Sequence, residues 1–244
     1  MSRLIVGIQP VREAIRALDR RLLKVVSLQR SASPSPTLDA VVRFARDHGI
    51  PVELAPAAVL DRLASGARHQ GVIAIAPEFE LLGPDQLLDL SPCLVMALDG
   101  IEDPQNFGAI VRSAVAFGAD AVLWPEHSSA PLSPAMARAS AGAVEHARLC
   151  RVRALPSALQ SLQSAGLRVV GLAGDSPTLL GSIDLVSPVV VVVGSEGSGL
   201  RKSVRSCCDF VARIPSRPPV ATLNASASAA VALYEVRRQR DAAR

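Results

Sequence analysis

Asn106, Arg112, Glu196 and Asn224 follow closely after runs of aliphatic residues in this 244-residue sequence. Such runs are typical of strands in a parallel sheet, and open α/β sheets bind their ligands in the loops at the carboxyl ends of the strands. A shared ligand site explains three loops of this kind in one chain better than three unrelated turns do. These four residues are therefore the candidates for chemistry, and the surrounding elements must bring them together.

The first loop, Asp99–Arg112, leads into a helix. Asp103 followed by Pro104 is a typical helix start, because an aspartate caps the first turn and a proline fits into it. Asn106 and Arg112 are six residues apart, which rotates them by about 240° net around a helix. They need not share a face, and an Arg112 that is simply solvated on the helix surface is the alternative to a functional one.

The second loop begins at Gly194 and reads Gly-Ser-Glu-Gly-Ser-Gly-Leu up to Leu200. A dinucleotide-binding fingerprint needs a glycine where Glu196 stands, and a P-loop needs lysine and then serine or threonine where Leu200 and Arg201 stand. Both familiar interpretations therefore fail. The loop suits a ligand that is read by backbone groups beside one buried acid, and a tight turn without a ligand is the alternative.

The third loop follows Ile214 and leads into a segment that is almost entirely alanine and serine. Asn224 or Ser226 can cap the helix that begins there. The small side chains of its first turns allow another backbone to approach closely. A plain capped helix explains Asn224 by itself, but it does not explain why three such loops close three apolar strands.

The second part of the chain alternates apolar strands with helical segments. The predicted strands are Leu94–Leu98, Ala121–Trp124, Val169–Leu172, Val189–Val193 and Phe210–Ile214. The predicted helices are Phe107–Phe117, Pro134–Ser140, Ser157–Ala165, Lys202–Cys207 and Ser226–Arg240. Strands that are apolar throughout and separated by helices predict a parallel sheet covered on both faces. The expected fold class is therefore α/β.

The charge distribution divides the chain into three parts. Residues 1–76 hold eleven basic against six acidic residues, residues 77–92 hold four acids and no base, and residues 93–244 hold fifteen bases against twelve acids. The acidic stretch also contains Gly83 and three prolines, as a linker would. We expect a small α/β domain over 1–76, a linker over 77–92 and a larger domain over 93–244. The basic excess favours a polyanionic partner.

Composition excludes several classes of protein. With 49% hydrophobic and 20% charged residues the chain can fill a core, so wholesale disorder is excluded. No apolar run approaches the length of a membrane span, and Leu4–Ile8 is too short for a secretory signal. The four cysteines show no zinc-binding spacing, and two of them are adjacent. We therefore expect a reduced cytoplasmic protein with no metal and no membrane association.

These motifs together resemble a known family. Three segments resemble the three motifs of the SpoU (TrmH-like) branch of SPOUT RNA methyltransferases. They are Asn106 with Arg112, Gly194-Ser-Glu196-Gly-x-Gly-Leu200, and Leu223-Asn224-Ala-Ser226 with Leu233-Tyr-Glu235. The resemblance covers residues 93–240 in the right order and spacing. The first domain resembles the small L30-like substrate domain of 23S rRNA guanosine-2′-O-methyltransferases, through Gly7-Ile-Gln-Pro-Val and His69-Gln-Gly-Val-Ile-Ala74.

The resemblance implies a trefoil-knotted methyltransferase domain that binds S-adenosylmethionine largely through backbone atoms. The cofactor-binding residues that it implies are Gly194, Ile214, Leu223, Ala173 and Gly174. It also implies a homodimer in which Arg112 reaches across to the cofactor of the partner.

The implied catalytic residues are Arg112, Asn106, Glu196 and Asn224. Arg112 would activate or stabilise the developing 2′-alkoxide of a ribose, and Asn106 would orient the hydroxyl or Arg112. Glu196 and Asn224 would hold the loops in shape and help to seat the ribose or the cofactor. An unassisted guanidinium is a poor base, because its pKa exceeds about 12.

The substrate contacts are expected from two places. Thr222 stands where relatives commonly have serine, so a hydroxyl remains available for a phosphate or cofactor contact. Few aromatic residues are present to stack on bases, so basic side chains must do much of the RNA binding. The candidates are Arg12 and Arg16, together with Arg20, Arg21, Arg43 and Arg46.

The function expected is 2′-O-methylation of a ribose in RNA, most simply a guanosine of 23S rRNA. One alternative keeps the chemistry but acts on a tRNA ribose, or on an rRNA site that confers antibiotic resistance. The other is a non-catalytic RNA-binding or ribosome-assembly protein with the same fold. The four intact polar residues count against that last alternative, and the basic first domain favours rRNA over tRNA.

Overall fold

The computed structural model describes residues 2–29, 35–91, 93–217 and 223–244. It divides into two compact units. The first unit comprises Met1–Phe79 and Leu132–His146, and the second comprises Glu80–Pro131 and Ala147–Arg244.

The described residues form strands and helices in alternation. The strands are β1 (Ser2–Val6), β2 (Lys24–Leu28), β3 (Val52–Ala55), β4 (Val72–Pro77), β5 (Leu81–Leu82), β6 (Leu94–Asp99), β7 (Ala121–Pro125), β8 (Leu149–Val152), β9 (Arg168–Leu172), β10 (Val189–Gly194) and β11 (Phe210–Ala212). The α-helices are α1 (Ile8–Leu18), α2 (Pro36–Asp47), α3 (Ala57–Ala64), α4 (Pro84–Asp89), α5 (Pro104–Ala116), α6 (Pro134–Ala139), α7 (Leu155–Ser164), α8 (Lys202–Arg205) and α9 (Ala225–Ala242).

The first unit is built on a four-stranded sheet in the order β1-β4-β2-β3. Alternate residues of each strand point to opposite faces, as in any strand. Val25 packs in a cluster with residues of α1 and α2, whereas its neighbour Val26 packs in a second cluster with residues of α3. The sheet therefore has helices on both faces, which explains why its central strands, β2 and β4, bury residues on both sides.

A segment from much later in the chain, Leu132–His146, belongs to this first unit. Glu145 lies within it and receives two hydrogen bonds from the guanidinium of Arg3, at 2.7 and 2.5 Å. Arg3 also donates from Nε to the carbonyl of Pro77 and lies 3.7 Å from the ring centroid of Phe79. One segment of the part of the chain over 93–244 is therefore part of the first unit.

The second unit is built on a seven-stranded sheet in the order β11-β9-β10-β6-β7-β8-β5. Every pairing in it is parallel. Residues of α4, α7 and α8 pack on one face in a single aliphatic cluster. On the other face α5 lies against β7, and α9 lies against β10 and α5. The predicted doubly covered parallel α/β sheet is confirmed.

The predicted strands of the second unit are all present, although the last ends at Ala212 rather than Ile214. The predictions missed β8, whose apolar run is broken by the exposed Arg151. They also missed β1, a short edge strand that begins with Ser2 and Arg3. The expected linker, residues 77–92, contains β5 and α4, so part of it adds to the second sheet.

Two features are absent from the described parts of the chain. No helix there combines the length and apolar character needed to cross a bilayer. Within the same residues, no three His, Cys, Asp or Glu side chains are grouped in a way that could hold a metal ion.

Candidate active site

A cleft of about 700 Å³ opens at the carboxyl ends of β9 and β10 in the second unit. The loop after β9, the loop after β10, Ile214 beyond β11 and the first residues of α9 line it. Its volume lies within the range of about 300–1,000 Å³ that is typical of small-molecule sites. This is the sheet edge at which the sequence predicted a ligand.

The five residues that the family resemblance implied for the cofactor all lie around this cleft. They are Gly194, Ile214, Leu223, Ala173 and Gly174. Most are small, and small side chains leave backbone N–H and C=O groups accessible to a ligand. The cleft thus fits a nucleoside-like cofactor that is held mainly by backbone groups. Their part in cofactor binding remains a prediction.

The loop after β10 is a closed turn. Ser195 and Gly199 exchange two backbone hydrogen bonds, of 3.2 and 3.0 Å. The hydroxyls of Ser195 and Ser198 are 2.5 Å apart. A side chain at Gly194 would overlap the backbone carbonyl of Gly199, so only glycine allows the two parts of the loop to come this close.

Glu196, at the tip of this turn, connects two other predicted residues. Asn106, in the first turn of α5, donates from Nδ2 to Glu196 Oε1 at 2.9 Å. The same oxygen accepts a hydrogen bond of 3.4 Å from the backbone N–H of Ala225. Asn106 and Glu196 are ninety positions apart, and the parallel sheet places the two loops side by side because β6 and β10 are neighbours.

The sequence predicted a buried acid in this loop, and for Glu196 that prediction is wrong. Glu196 is exposed at the rim of the cleft, because it stands at the tip of a tight turn. The buried acid beside the loop is Asp99, the last residue of β6. The signal for it was present in the sequence, since Asp99 ends a continuous aliphatic run.

Asn224 is the cap of α9. Its Oδ1 accepts a hydrogen bond of 2.8 Å from the backbone N–H of Ala227 and one of 3.4 Å from the hydroxyl of Ser226. Of the two capping candidates, Asn224 is therefore the one used. Asn224 also lines the cleft, together with Ser228 one turn further along.

Arg112 lies apart from these three residues. It is exposed on α5 and does not line the cleft of its own chain. Among the described residues it has no hydrogen-bond or ion-pair partner. The six-residue spacing from Asn106 explains this, because the two side chains leave the helix in different directions.

The predicted substrate residues have different outcomes. Arg12 and Arg16 lie on α1 of the first unit, where Arg12 is exposed and Arg16 is 2.7 Å from Glu13. Thr222 lies outside the described residues. The role of these three residues in RNA binding stays a prediction.

Two ion pairs next to the loops were not predicted. Arg201 pairs with the buried Asp99 at 2.6 Å. Arg205 pairs with Asp175 at 3.0 Å, and both of these residues line the cleft. Each pair joins residues at least thirty positions apart, so no local pattern announces it.

Cys208 packs against Gly171 of β9, where an added Cβ would overlap its sulfur. Burial, with smaller contributions from Cys207 and Asp209, raises the pKa of the Cys208 thiol to about 11. The thiol is therefore neutral at physiological pH and is not a nucleophile.

Family models match both parts of the chain. The SpoU rRNA Methylase family matches residues 93–234. A model described as RNA 2′-O ribose methyltransferase substrate binding matches residues 4–82. The first match covers more than half of the chain.

Relatives and solved structures agree with these matches. An uncharacterized tRNA/rRNA methyltransferase of Mycolicibacterium vanbaalenii is 42% identical over 99% of this chain and 78% of its own length. The crystal structure of an RNA 2′-O ribose methyltransferase is 29% identical, with a TM-score of 0.78 over 98% of this chain and 89% of its own.

Two further structures differ in how much of the chain they match. An AdoMet-bound rRNA methyltransferase from Sinorhizobium meliloti is 25% identical, with a TM-score of 0.77 over 97% of this chain and 87% of its own. A structure described as giving insights into the 2-OH methylation of C/U34 on tRNA is 26% identical, with a TM-score of 0.56. That match covers 61% of this chain and 97% of the other. Sequence, sheet order and cleft thus agree, and the chain belongs to the SpoU rRNA Methylase family, as an RNA 2′-O-ribose methyltransferase that uses S-adenosylmethionine.

Proposed function

We propose that the protein methylates the 2′-hydroxyl of a guanosine ribose in 23S rRNA. The observation that carries the choice of rRNA is the substrate-binding match over residues 4–82, beside the methylase match. In agreement with it, the structure described as an rRNA methyltransferase covers 97% of the chain, whereas the one described by tRNA methylation covers 61%. The protein acts in the cytoplasm, where its RNA substrate is made.

The cofactor lies in the cleft of the second unit, against Gly194, Ile214, Leu223, Ala173 and Gly174. It supplies the methyl group when bound. The loop after β10 contributes a closed backbone surface, and Glu196 holds that loop to α5 through Asn106 and to α9 through Ala225. The second domain carries the trefoil knot that the family resemblance implies, and the knotted loops form this site.

The side chains around the cleft position the ribose rather than perform difficult chemistry. The cofactor would supply its sulfonium methyl group to the 2′-oxygen in line, with the methyl–sulfur bond breaking and S-adenosylhomocysteine leaving, while the hydroxyl would lose its proton as the new bond forms. Good orientation of two reactants can supply about 7–11 kcal/mol of the acceleration. Arg112 stabilises the developing alkoxide, aided by a substrate phosphate, and Asn106 orients the hydroxyl or Arg112. Asn224 shapes the third loop as the cap of α9.

Arg112 serves the cleft of a second copy of the chain. Its exposure, and its absence from the cleft of its own chain, support this arrangement. The homodimer forms through α5 and α9, which lie against each other on one face of the sheet. Val231 and Tyr234 of α9 are apolar or aromatic side chains exposed on this helix, and they supply the surface that a partner would cover.

The first unit binds the RNA through basic side chains that include Arg12 and Arg16, with Thr222 contributing a hydroxyl near the cleft. Binding through phosphate contacts depends on salt, because each neutralised phosphate releases counterions. Replacing the arginines of this group should weaken RNA binding and reduce that salt dependence.

The test is methyl transfer from labelled S-adenosylmethionine to unmodified 23S rRNA transcript, followed by mapping of the 2′-O-methyl sites. One methylated guanosine in the peptidyl-transferase region is the expected result. Transfer to tRNA but not to rRNA would keep the reaction and overturn the proposed substrate. No transfer to naked RNA, with transfer to a ribosome-assembly intermediate, would identify the intermediate as the substrate.

A further inference from the structure

Asp99 is a buried carboxylate at the point where the cofactor loop begins. It is the last residue of β6 and stands opposite Gly194, the first residue of the loop, in the parallel pairing of β6 with β10. Its side chain is 0% exposed. A carboxylate that is fully removed from water is costly unless hydrogen bonds compensate for the lost hydration.

Both oxygens of Asp99 are used at the other end of the same loop. Oδ2 accepts a hydrogen bond of 2.8 Å from the backbone N–H of Arg201. Oδ1 accepts one of 2.6 Å from Nε of the same residue. Asp99 therefore lies opposite the start of the loop through its strand position and binds the end of the loop through its side chain.

The region between these two points is the wall of the cleft. It contains the closed Ser195–Gly199 turn and Glu196, which is bonded to Asn106 and to the N–H of Ala225. A shift of Arg201 relative to β6 would move the end of this turn, because Gly199 and Leu200 directly precede Arg201 and Gly199 lies against Gly194. A Cβ at Gly194 would overlap the carbonyl carbon of Gly199, so these two backbone segments cannot move closer to each other.

Stability alone does not account for such a pair. The attraction within a buried ion pair is largely offset by desolvation, and well-packed apolar residues often serve stability as well. What apolar residues cannot do is fix a backbone N–H and a side chain at once, with defined direction. Such two-point directional binding is typical of residues that hold a site in its working geometry.

We infer that Asp99 and Arg201 are positioning residues that hold the Gly194–Leu200 turn in the geometry that binds S-adenosylmethionine. Neither has to touch the cofactor. Asp99 acts through the backbone and guanidinium of Arg201, and Arg201 acts through the turn that precedes it. The inference rests on the proposed placement of the cofactor in this cleft.

The test is calorimetric titration with S-adenosylhomocysteine, the unreactive product, of wild type and of Arg201→Met, Arg201→Lys and Asp99→Asn. Arg201→Met keeps the backbone N–H but removes the Nε donor. Because a hydrogen bond to a charged group contributes enough for a tenfold change, Kd should rise by about tenfold or more. Arg201→Lys should show the same direction, because an ammonium at the chain end does not replace Nε–H. Asp99→Asn should also raise Kd. Its amide NH2 replaces one carboxylate oxygen and therefore faces one of the two N–H donors of Arg201.

The matched control is Arg168→Met. Arg168 pairs with Asp184 at 2.8 Å in the same unit, at the start of β9 and away from the carboxyl ends of the strands. Its Kd should stay within about twofold of wild type, since an exposed ion pair contributes little.

The readout separates positioning from folding. Unfolded protein lowers the number of sites per chain but leaves the Kd of the folded molecules unchanged. A lower site number with an unchanged Kd in both Arg201 variants would overturn the inference, and so would full binding in all three variants. Arg201 is 44% exposed and lysine keeps a positive charge near Asp99, so we expect Arg201→Lys to fold.

The result also differs from a failure of the proposed function. If wild type binds S-adenosylhomocysteine but transfers no methyl group to rRNA, the proposed substrate falls and the inference stands on the binding data. If wild type does not bind it, the placement of the cofactor falls and the inference falls with it.

Discussion

A single oxygen of Glu196 connects Asn106 and Ala225 at the cleft. One carboxylate oxygen accepts both the Asn106 amide and the Ala225 N–H, so the first and third loops are both held to the second. Arg112 shares none of these contacts, and it does not line the cleft of its own chain. This separation allows the chemistry of Arg112 to be tested without disturbing the cofactor cleft.

Arg112→Ala should retain cofactor binding and lose methyl transfer. Loss of one donor that stabilises a developing oxyanion typically slows an enzyme by about 10²–10³-fold, and a similar loss is expected here. The measurements are the methylation rate at saturating cofactor and the Kd of S-adenosylhomocysteine. Arg168→Ala, which removes an exposed guanidinium of the same unit, is the control. Full activity of the Arg112 variant would overturn the proposed role.

At the scale of elements, the strand–turn connection after β10 is the most constrained part of the site. Gly194 is buried, and a methyl group there would overlap the carbonyl of Gly199. The turn either opens or shifts to admit it. The strand itself is aliphatic and tolerates variation, so the constraint comes from the close approach of two backbone segments.

Gly194→Ala should therefore weaken cofactor binding by more than about tenfold and lower the free energy of unfolding by about 1–3 kcal/mol, as overpacking does. Gly181→Ala is a matched control, because its added Cβ would be 3.5 Å from Glu235 Oε1, an ordinary contact. Titration and urea unfolding measure the two effects. Wild-type affinity in the Gly194 variant would show that the turn does not shape the cofactor site.

At the scale of the whole molecule, the chain returns from the second unit to complete the first. Glu145, whose side chain is 1% exposed, receives two hydrogen bonds from Arg3. Its loss would leave a largely buried guanidinium without its charge partner. The first unit thus depends on a segment that is about sixty positions beyond its last strand.

Glu145→Ala should lower the free energy of unfolding by about 3 kcal/mol, the typical cost of breaking a buried ion pair from one side. Lys24→Ala is the control, because its ion pair with Glu53 is exposed and should contribute less than about 1 kcal/mol. Urea unfolding of the full chain gives both values. Equal stability of the two variants would show that the Glu145 contact does not stabilise the fold.

The proposed homodimer is tested at the same scale. Val231 is 39% exposed on α9. Val231→Glu would place a charge in the proposed interface, so sedimentation should report a monomer, and methyl transfer should fall because Arg112 then serves no partner. Leu54→Glu, on an exposed edge strand of the first unit, should remain dimeric. A Val231 variant that stays dimeric would place the interface elsewhere.

The sequence by itself determined the fold class, five of the seven strands of the second sheet, the family and the cofactor. Each depends on local information, namely continuous aliphatic runs and short motifs at their ends. It also indicated Asn106, Glu196 and Asn224, because residues that follow adjacent parallel strands must meet at one sheet edge. The roles of these residues and of Arg112 in the reaction stay predictions.

Only the tertiary structure decided which side chains are partners and which are buried. The Asp99–Arg201 pair joins positions about one hundred residues apart, and Arg3–Glu145 joins positions still further apart. Glu196 is exposed, contrary to the prediction of a buried acid in the turn, and the buried acid beside the turn is Asp99. Burial and pairing depend on how distant segments pack, and no local pattern in the sequence contains that information.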